Sequence, residues 1–298
     1  RPVQLPVYHE ECETYEVLDE KNEHLGVLYL DYHPRDGKSG GAWCGTYVDQ
    51  SYEDGKRVAP VVSIVCNFTP PTGDTPALLT IDETETLFHE FGHALHNLFA
   101  DVKYSGLGGV EGDFVELPSQ IMENWATEKE YLDLWAKHYQ TGESMPAELI
   151  EKLVAAKNYL AAYFNIRQLS FGMLDMAWHT LETPFEGDPV KFEKEAMKPT
   201  DVVPAQPNTA LTTSFNHIFA GGYAAGYYGY KWAEVLDADA FSLFQENGIF
   251  DQATADSFRR NILEKGGTEH PMVLYKNFRG QEPQNQIRDP FPRRRLRC

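Results

Sequence analysis

The residue pattern changes character at Pro76, and this change limits the possible fold more than any other feature of the chain. Before it, residues 14–76 contain the runs TYEVLD, LGVLYLDYH and VAPVVSIVCNF, separated by Asp-Gly, Gly-Gly and Pro-Pro pairs. Such β-branched and aromatic runs between turn residues predict strands. After it, apolar residues recur with a helical period over 81–100, 116–139, 147–182 and 232–265. The pattern predicts a mainly α protein with a small β-sheet, an α+β domain.

A single domain over 1–298 is expected, because no internal repeat and no long Ser/Gly linker interrupts the sequence. Within it we distinguish a strand-rich lobe over 1–76, a helical part over 77–287 and a tail over 288–298. The tail is rich in arginine and proline. It is therefore predicted to be a disordered basic appendage.

The charge balance excludes one class of partner. The chain has 26 basic and 45 acidic residues and a net charge of -19, which repels phosphate and argues against nucleic acid. No segment approaches the roughly 20 consecutive apolar residues that cross a bilayer, and the first residues lack the apolar run of a secretion signal. Four widely spaced cysteines favour reduced thiols. We expect a soluble, cytoplasmic protein that binds neither nucleic acid nor membrane.

The segment IDETETLFHEFGHALHNLF, residues 81–99, predicts a continuous helix that carries a metal site. Thr80 and Glu83 have the spacing of a capping box at its start. His89 and His93 are one turn apart, so that both rings can reach one ion. Glu90 is offset around the helix, which suits it to hold a water molecule rather than the metal.

Zinc with an open position needs a third protein ligand, and two candidates follow the first pair. His96 shares the helix face with His89, but a rise of about 10 Å over seven residues separates them too far. A second predicted helix places Glu116, Gln120 and Glu123 on one face. We assign Glu116 as the third ligand, with Asp113 and Glu123 as candidate acceptors for the imidazole N–H groups.

Three long segments resemble one known family, in the same order along the chain. These are HEFGHALH with DFVELPSQIMENW, then SFNHIFAGGYAAGYYGYKWAEVLDADAF at 214–241, then GGTEHPMVLYKNFRGQEP at 266–283. They resemble the thimet oligopeptidase, oligopeptidase A and dipeptidyl carboxypeptidase family of zinc metallopeptidases, and most of all its bacterial branch. The resemblance implies a zincin-like metallopeptidase catalytic domain with one Zn²⁺ per chain and short peptide substrates.

The resemblance also implies roles for individual residues. It gives His89, His93 and Glu116 as zinc ligands and Glu90 as the general base. From the second segment it implies that Tyr230 donates a hydrogen bond to the tetrahedral intermediate, and that His217, Tyr223 and Tyr227 are catalytic or line the substrate cleft. It also implies that Gly221 and Gly222 form a flexible loop. From spacing alone the tyrosines suit a packed core as well as a cleft wall, and His217 is equally an ordinary core histidine.

The strand-rich lobe offers a place for an extended peptide. The segment LGVLYLDYHPRDGKSGGAW is a candidate edge strand that pairs with substrate main chain. Asp31, Arg35 and Lys38 near its end are interpreted as a solvated turn. A cation that holds a substrate's C-terminal carboxylate would mark a dipeptidyl carboxypeptidase; the cations of this turn are one candidate and Arg279 is another, and the sequence does not choose between them.

Two departures from the resemblance set up an alternative. Full-length members of the family have a helical N-terminal half that forms the other wall of a deep channel, and this half is missing from the sequence. The ending IRDPFPRRRLRC also does not match. The alternative to a peptidase is a truncated fragment that binds zinc and peptide with weak or absent turnover.

Overall fold

A computed structural model describes residues 1–204 and 206–284 of the chain. It confirms the mixture of many helices and a small sheet. The strands are β1 (Glu13–Leu18), β2 (His24–Asp31), β3 (Trp43–Val48), β4 (Ser51–Glu53), β5 (Lys56–Val58) and β6 (Val61–Val65). The helices are α1 (Ile81–Phe99), α2 (Leu117–Glu123), α3 (Lys129–Trp135), α4 (Ala147–Ala156), α5 (Ala161–His179), α6 (Pro189–Met197), α7 (Asn216–Phe219), α8 (Gly229–Asn247), α9 (Gln252–Phe258) and α10 (Pro271–Arg279).

The main sheet has the strand order β1-β2-β6-β3, and β4 and β5 form a separate hairpin. Strand β2 is antiparallel to β1 and parallel to β6, with Val27 opposite Val61. Strand β3 is antiparallel to β6 and lies at the edge of the sheet. The predicted edge strand is thus corrected: LGVLYLDYH forms β2 inside the sheet, and the edge beside the helices begins only at Trp43.

Helix α1 lies between the sheet and the helical part, and its two faces bury different apolar sets. Ala94 and Leu98 belong to a core cluster with β2 and β6 residues, including Val62 and Ile64. Leu95 and Phe99 pack instead against a second cluster, formed mainly by α2, α8, the segment 258–263 and α10. This double burial fixes the position of α1 relative to all other elements, because each face removes apolar surface from water.

Three predicted helical stretches are interrupted. The stretch 116–139 is divided by a 3₁₀ turn at Asn124–Thr127, and 147–182 is divided at Leu160, whose φ of 55° is left-handed. The stretch 232–265 ends its first helix at Gly248, which has a φ of 110°. Strand β3, the β4–β5 hairpin and helix α10 did not follow from the sequence pattern.

The Asp31 turn was interpreted wrongly as solvated. Asp31 is 1% exposed, and its carboxylate accepts two hydrogen bonds from Arg35 at 2.7 and 2.9 Å and one from Lys38 at 2.9 Å. Tyr8 also donates to it at 2.9 Å. The end of β2 is inside the fold, so its charges are paired rather than hydrated.

The structure bears on the predictions about the cysteines and about membrane spans, but not on the prediction about the C-terminal tail. Cys12, Cys44 and Cys66 are free thiols. Within the described residues, no helix combines the length and apolar character needed to cross a membrane. The predicted disordered tail over 288–298, which includes Cys298, lies outside the described residues.

Candidate active site

The local structure of α1 places two imidazoles side by side. The predicted capping box is present: Thr80 Oγ1 accepts from the Glu83 N–H at 3.1 Å, and Glu83 accepts from the Thr80 N–H at 2.8 Å. The helix then continues through both histidines to Phe99. The ring centroids of His89 and His93 are 5.0 Å apart. Both rings lie at the same cleft.

Glu116 immediately precedes α2 and reaches the same point. Helices α1 and α2 touch at Gly92, where an added Cβ would lie 2.1 Å from the Pro118 carbonyl oxygen. This close approach brings Glu116 Oε2 to 3.2 Å from Nε2 of His89 and 3.2 Å from Nε2 of His93. The three ligand atoms all lie within 4.8 Å of one another.

Neighbouring side chains hold these three groups in orientation. His89 Nδ1 lies 2.7 Å from Glu123 Oε1, which leaves Nε2 directed at Glu116. Ser119 donates to Glu116 Oε2 at 2.6 Å, and the Tyr223 hydroxyl donates to Glu116 Oε1. Hydrogen bonds of this kind to a ligand side chain fix its geometry and tune its basicity.

The electrostatics of the group are those of a cation site. Burial opposes a charge on His89, but hydrogen bonds to Glu116 and Glu123 outweigh it and raise the pKa of His89 to about 10. Burial likewise opposes ionisation of Glu116, yet the two histidines hold the pKa of Glu116 well below its ordinary value. The buried carboxylate therefore keeps its negative charge and attracts positive charge to this point.

Glu90 sits beside the ligand group without a complete set of partners. It is 5% exposed, and its Oε2 has no hydrogen-bond partner among the described residues. Burial raises the pKa of Glu90, and the two histidines act in the opposite direction. A buried carboxylate oxygen that lacks a partner is expensive to maintain, which indicates that something polar belongs next to it.

The residues fit zinc. Two imidazole nitrogens and one carboxylate oxygen are a usual set of three protein ligands for a catalytic zinc, which keeps a further position open. The unpartnered Glu90 oxygen lies at the same cleft, where it suits a water molecule at that open position.

A cleft of about 380 Å³ opens onto the group. Its lining includes His217, Gly221, Tyr223 and Tyr230, which the structure thus brings together with the ligand group. Six further lining residues were missed from the sequence, and they are Ala42, Trp43, Cys44, Asn97, Val115 and Asn216. Asn97 had a usable signal, because it is four residues after His93 on the same helix.

The two cleft tyrosines are protonated donors. The rings of Tyr223 and Tyr230 stack at 5.0 Å between centroids, and the His217 ring is 6.0 Å from the Tyr223 ring. Burial and then the negative charge of Glu116 raise the pKa of both tyrosines above the ordinary value of a phenol. Each hydroxyl therefore keeps its proton at neutral pH and can donate it in a hydrogen bond.

Glycine is required at positions 221 and 222 for two different structural reasons. Gly222 has a φ of 89°, a conformation that strongly favours glycine. An added Cβ on Gly221 would lie 2.8 Å from the Cα of His217. Together they let the chain turn tightly after α7.

Four predicted or considered residues have other surroundings. Tyr227 is 8% exposed and packs in a core cluster with Phe215 and Leu174, outside the described lining of the cleft. Arg279 pairs with Asp239, its Nε lying 3.3 Å from the carboxylate, and it too lies outside that lining.

Asp113 accepts from the Tyr228 hydroxyl at 2.7 Å rather than from an imidazole. His96 is buried, and burial lowers the pKa of its ring to about 4.

Comparisons with known proteins give a consistent result. The family model described as "Peptidase family M3" matches residues 1–288. Oligopeptidase A of Escherichia coli is 49% identical over 285 residues, and dipeptidyl carboxypeptidase of the same organism is 42% identical over 283 residues. A solved structure, "PZ peptidase A with inhibitor 2", matches with a TM-score of 0.56 at 16% identity, and supports the fold alone.

The matches cover this chain almost completely but cover only part of each relative. The alignment to oligopeptidase A takes in 94% of this chain and 42% of that protein, and the alignment to dipeptidyl carboxypeptidase takes in 94% and 41%. For the solved structure the shares are 86% and 41%. The chain therefore spans about two fifths of the length of these relatives.

Proposed function

Because the chain belongs to peptidase family M3, we propose that it hydrolyses peptide bonds in short peptides with one zinc ion. His89, His93 and Glu116 would hold the ion, and Glu90 is the general base. The observation that carries the proposal is the convergence of these three ligand atoms beside a buried, unpartnered carboxylate oxygen in one cleft. In this reading the fold is a zincin-like catalytic domain.

When bound, zinc supplies Lewis-acid chemistry, since it polarises a carbonyl oxygen and lowers the pKa of water to about 7. Glu90 takes a proton from the water that attacks the peptide carbon. A new C–O bond forms, the C–N bond breaks, and Glu90 returns the proton to the leaving nitrogen. The burial that raises the pKa of Glu90 favours the first of these proton transfers, because the protonated acid is less costly than the carboxylate inside the protein.

Tyr230 and His217 are assigned to the oxygen that becomes negative during the attack. Tyr230 lines the cleft and hydrogen-bonds the Tyr223 side chain, whereas Tyr223 donates to the Glu116 carboxylate, so Tyr230 is the more available donor to substrate. Its raised pKa keeps the proton in place. Loss of one such donor typically lowers the rate by about 10²- to 10³-fold. Tyr223 acts mainly on Glu116.

Strand β3 is proposed as the support for an extended substrate. It lies at the edge of the sheet, and Trp43 and Cys44 at its start line the cleft. An edge strand has free N–H and C=O groups that pair with any peptide main chain, which suits an enzyme that accepts varied sequences. We expect the peptide to lie between β3 and the two cleft tyrosines.

A second candidate function is binding of zinc and peptide with weak or no turnover. It is favoured by the length comparison, because 58% of oligopeptidase A has no counterpart in the alignment, the remainder after the 42% that is covered. The resemblance assigns a helical N-terminal half to the other wall of the channel. Without that wall the zinc group can be intact while substrates are held poorly.

The experiment that tests the proposal uses quenched-fluorescent peptides with free and with blocked C-termini. The zinc-loaded chain is compared with Glu90→Gln, and Asp82→Asn is the matched control because Asp82 is an exposed carboxylate in the first turn of the same helix. Zinc content is measured for all three proteins. We expect wild type and Asp82→Asn to cut, and Glu90→Gln to retain zinc without cutting.

The outcomes separate the candidates. Cleavage of free but not blocked peptides indicates release of C-terminal dipeptides, as the name of dipeptidyl carboxypeptidase describes for that relative. Cleavage of both indicates an endopeptidase. Zinc and peptide binding without cleavage by the wild type supports the second candidate, and a chain that takes up no zinc contradicts both. The cytoplasmic location stays a prediction.

A further inference from the structure

We propose that Asp175 is a positioning residue that fixes the tyrosine loop, residues 220–228, so that Tyr223 and Tyr230 face the metal group. This inference rests on the proposed function. Asp175 lies on α5. Within the described residues it neither lines the cleft nor contacts the three ligand residues. It acts through the backbone of the loop.

The contacts of Asp175 identify its role. The carboxylate is completely buried, at 0% exposure. One oxygen accepts the N–H of Ala225 at 2.9 Å, and the other accepts the N–H of Tyr227 at 2.9 Å. Both donors belong to the same turn of the loop, on either side of Gly226. Hydrogen bonds from N–H groups to an ionised carboxylate are stronger than neutral ones.

His179 completes the arrangement one helical turn later. Its Nδ1 lies 2.8 Å from Asp175 Oδ1. The buried carboxylate therefore has three polar neighbours, two backbone N–H groups and an imidazole nitrogen, which offset the cost of its burial. Such a saturated, buried group holds its partners in one geometry.

The loop needs this support. Ala225 has a φ of 53°, a left-handed conformation that is unfavourable for a residue with a Cβ. The direct bond from its N–H to Asp175 stabilises that conformation. Without the bond, Ala225 is expected to relax, and the chain on both sides of it moves.

The two sides of the turn carry the tyrosines of the site. Tyr223 precedes it and donates to Glu116, while Tyr230 follows it and stacks on Tyr223. Between them, Tyr227 is held by its N–H on Asp175 and by its hydroxyl on Gln168 at 3.1 Å. This gives Tyr227 a different role from the cleft wall expected from the sequence, because it joins the loop to α5.

The chain supplies a matched control in Glu193. This carboxylate on α6 is 8% exposed and accepts two backbone N–H groups, from Leu211 at 2.9 Å and from Thr212 at 2.6 Å. The segment it holds does not line the cleft beside the metal group within the described chain. Glu193→Gln therefore reproduces the structural loss without disturbing the tyrosine loop.

The test compares Asp175→Asn, Glu193→Gln, Tyr223→Phe and the double variant Asp175→Asn/Tyr223→Phe. Zinc affinity is measured with a competing chelator, kcat is measured at saturating zinc, and thermal unfolding is recorded for each. We expect zinc affinity to fall about 10-fold in Asp175→Asn, since Tyr223 no longer supports Glu116. The zinc affinity of Tyr223→Phe should fall by a similar factor, and that of the double variant should be only slightly lower still. The zinc affinity of Glu193→Gln should equal that of wild type.

Amide hydrogen exchange gives a readout that is independent of turnover. Exchange at Ala225 and Tyr227 should accelerate in Asp175→Asn and not in Glu193→Gln. Equal changes of kcat and zinc affinity in the two variants would show that Asp175 is only structural and overturn the inference, as would fully additive effects in the double variant. If wild type binds zinc but does not cut, the proposed function fails, while the zinc and exchange comparisons still decide this inference.

Discussion

At the scale of single residues, Glu123 and Asp113 were equal candidates to receive an imidazole N–H, and the structure separates them. Glu123 lies 2.7 Å from His89 Nδ1, whereas Asp113 accepts from Tyr228. We predict that Glu123→Gln lowers zinc affinity by about 10- to 100-fold, because a neutral amide oxygen is a weaker acceptor than the carboxylate that orients the ring of His89. Competition with a chromogenic chelator measures the change.

Asp113→Asn serves as the comparison for that experiment. It removes a carboxylate charge from the same stretch of sequence. The hydrogen-bond partner of Asp113, however, is the Tyr228 hydroxyl and not one of the proposed zinc ligands. Zinc affinity should stay within about twofold of wild type, since outer contacts matter mainly when they touch a ligand. A larger loss in Asp113→Asn than in Glu123→Gln would contradict the assignment.

At the scale of elements, the contact between α1 and α2 depends on Gly92. A Cβ at this position would meet the Pro118 carbonyl oxygen at 2.1 Å and the Ser119 Cα at 2.6 Å. Both are backbone atoms in the first turn of α2, so α2 must move as a unit. We predict that Gly92→Ala destabilises the fold by about 1–3 kcal/mol through overpacking. It should also lower zinc affinity more than about 10-fold, because Glu116 moves with α2.

Gly172→Ala is the control for Gly92→Ala. Gly172 lies inside α5, and no described atom is within 4 Å of an added Cβ. Alanine is favoured over glycine in a helix by about 0.5–1 kcal/mol, so this variant should be equally or more stable. Urea unfolding and zinc titration of both variants measure the difference. Wild-type zinc affinity in Gly92→Ala would show that α2 tolerates the added methyl group.

The interrupted helices show why element boundaries escaped the sequence pattern. Leu160 adopts a left-handed conformation between α4 and α5, although leucine is a good helix former and no glycine or proline is near it. Tertiary packing overrides such local preferences. By contrast, the start of α1 was predictable, because the capping box involves only side chains within three residues of each other.

At the scale of the whole molecule, the burial of α1 between two cores makes stability depend on pH. Burial, and then the charge of His93, lower the pKa of His96 to about 4, against about 6.5 in an unfolded chain. Between these values the unfolded chain binds more protons than the folded one. The stability contributed by neutral His96 is therefore complete above about pH 6.5 and is lost as the pH falls toward about 4.

Urea unfolding of the metal-free protein at pH 7 and pH 5 tests this prediction. The free energy of unfolding should fall by about 2 kcal/mol more in wild type than in His96→Leu, since leucine does not titrate. Leucine also suits the site, where Nε2 of His96 has no partner among the described residues. An identical pH response in both proteins would mean that His96 is not buried in the neutral form.

The comparisons also bear on the whole molecule. The family assignment from three sequence segments is confirmed by the match over residues 1–288. The match takes in 42% of oligopeptidase A, so the chain spans less than half the length of that relative. The described residues do contain the group formed by His89, His93 and Glu116.

The sequence by itself determined the family, the mixed helical fold with a small sheet, and the residues His89, His93 and Glu116 that converge. Local geometry was sufficient for the first two ligands, because helical spacing fixes their relation. Only the tertiary structure decided the position of β3 at the cleft, the burial of Tyr227 and the pairing of Arg279 with Asp239. It also decided the anchoring of the tyrosine loop by Asp175. Those contacts join residues far apart in sequence, and they depend on which surfaces are buried together rather than on any local period.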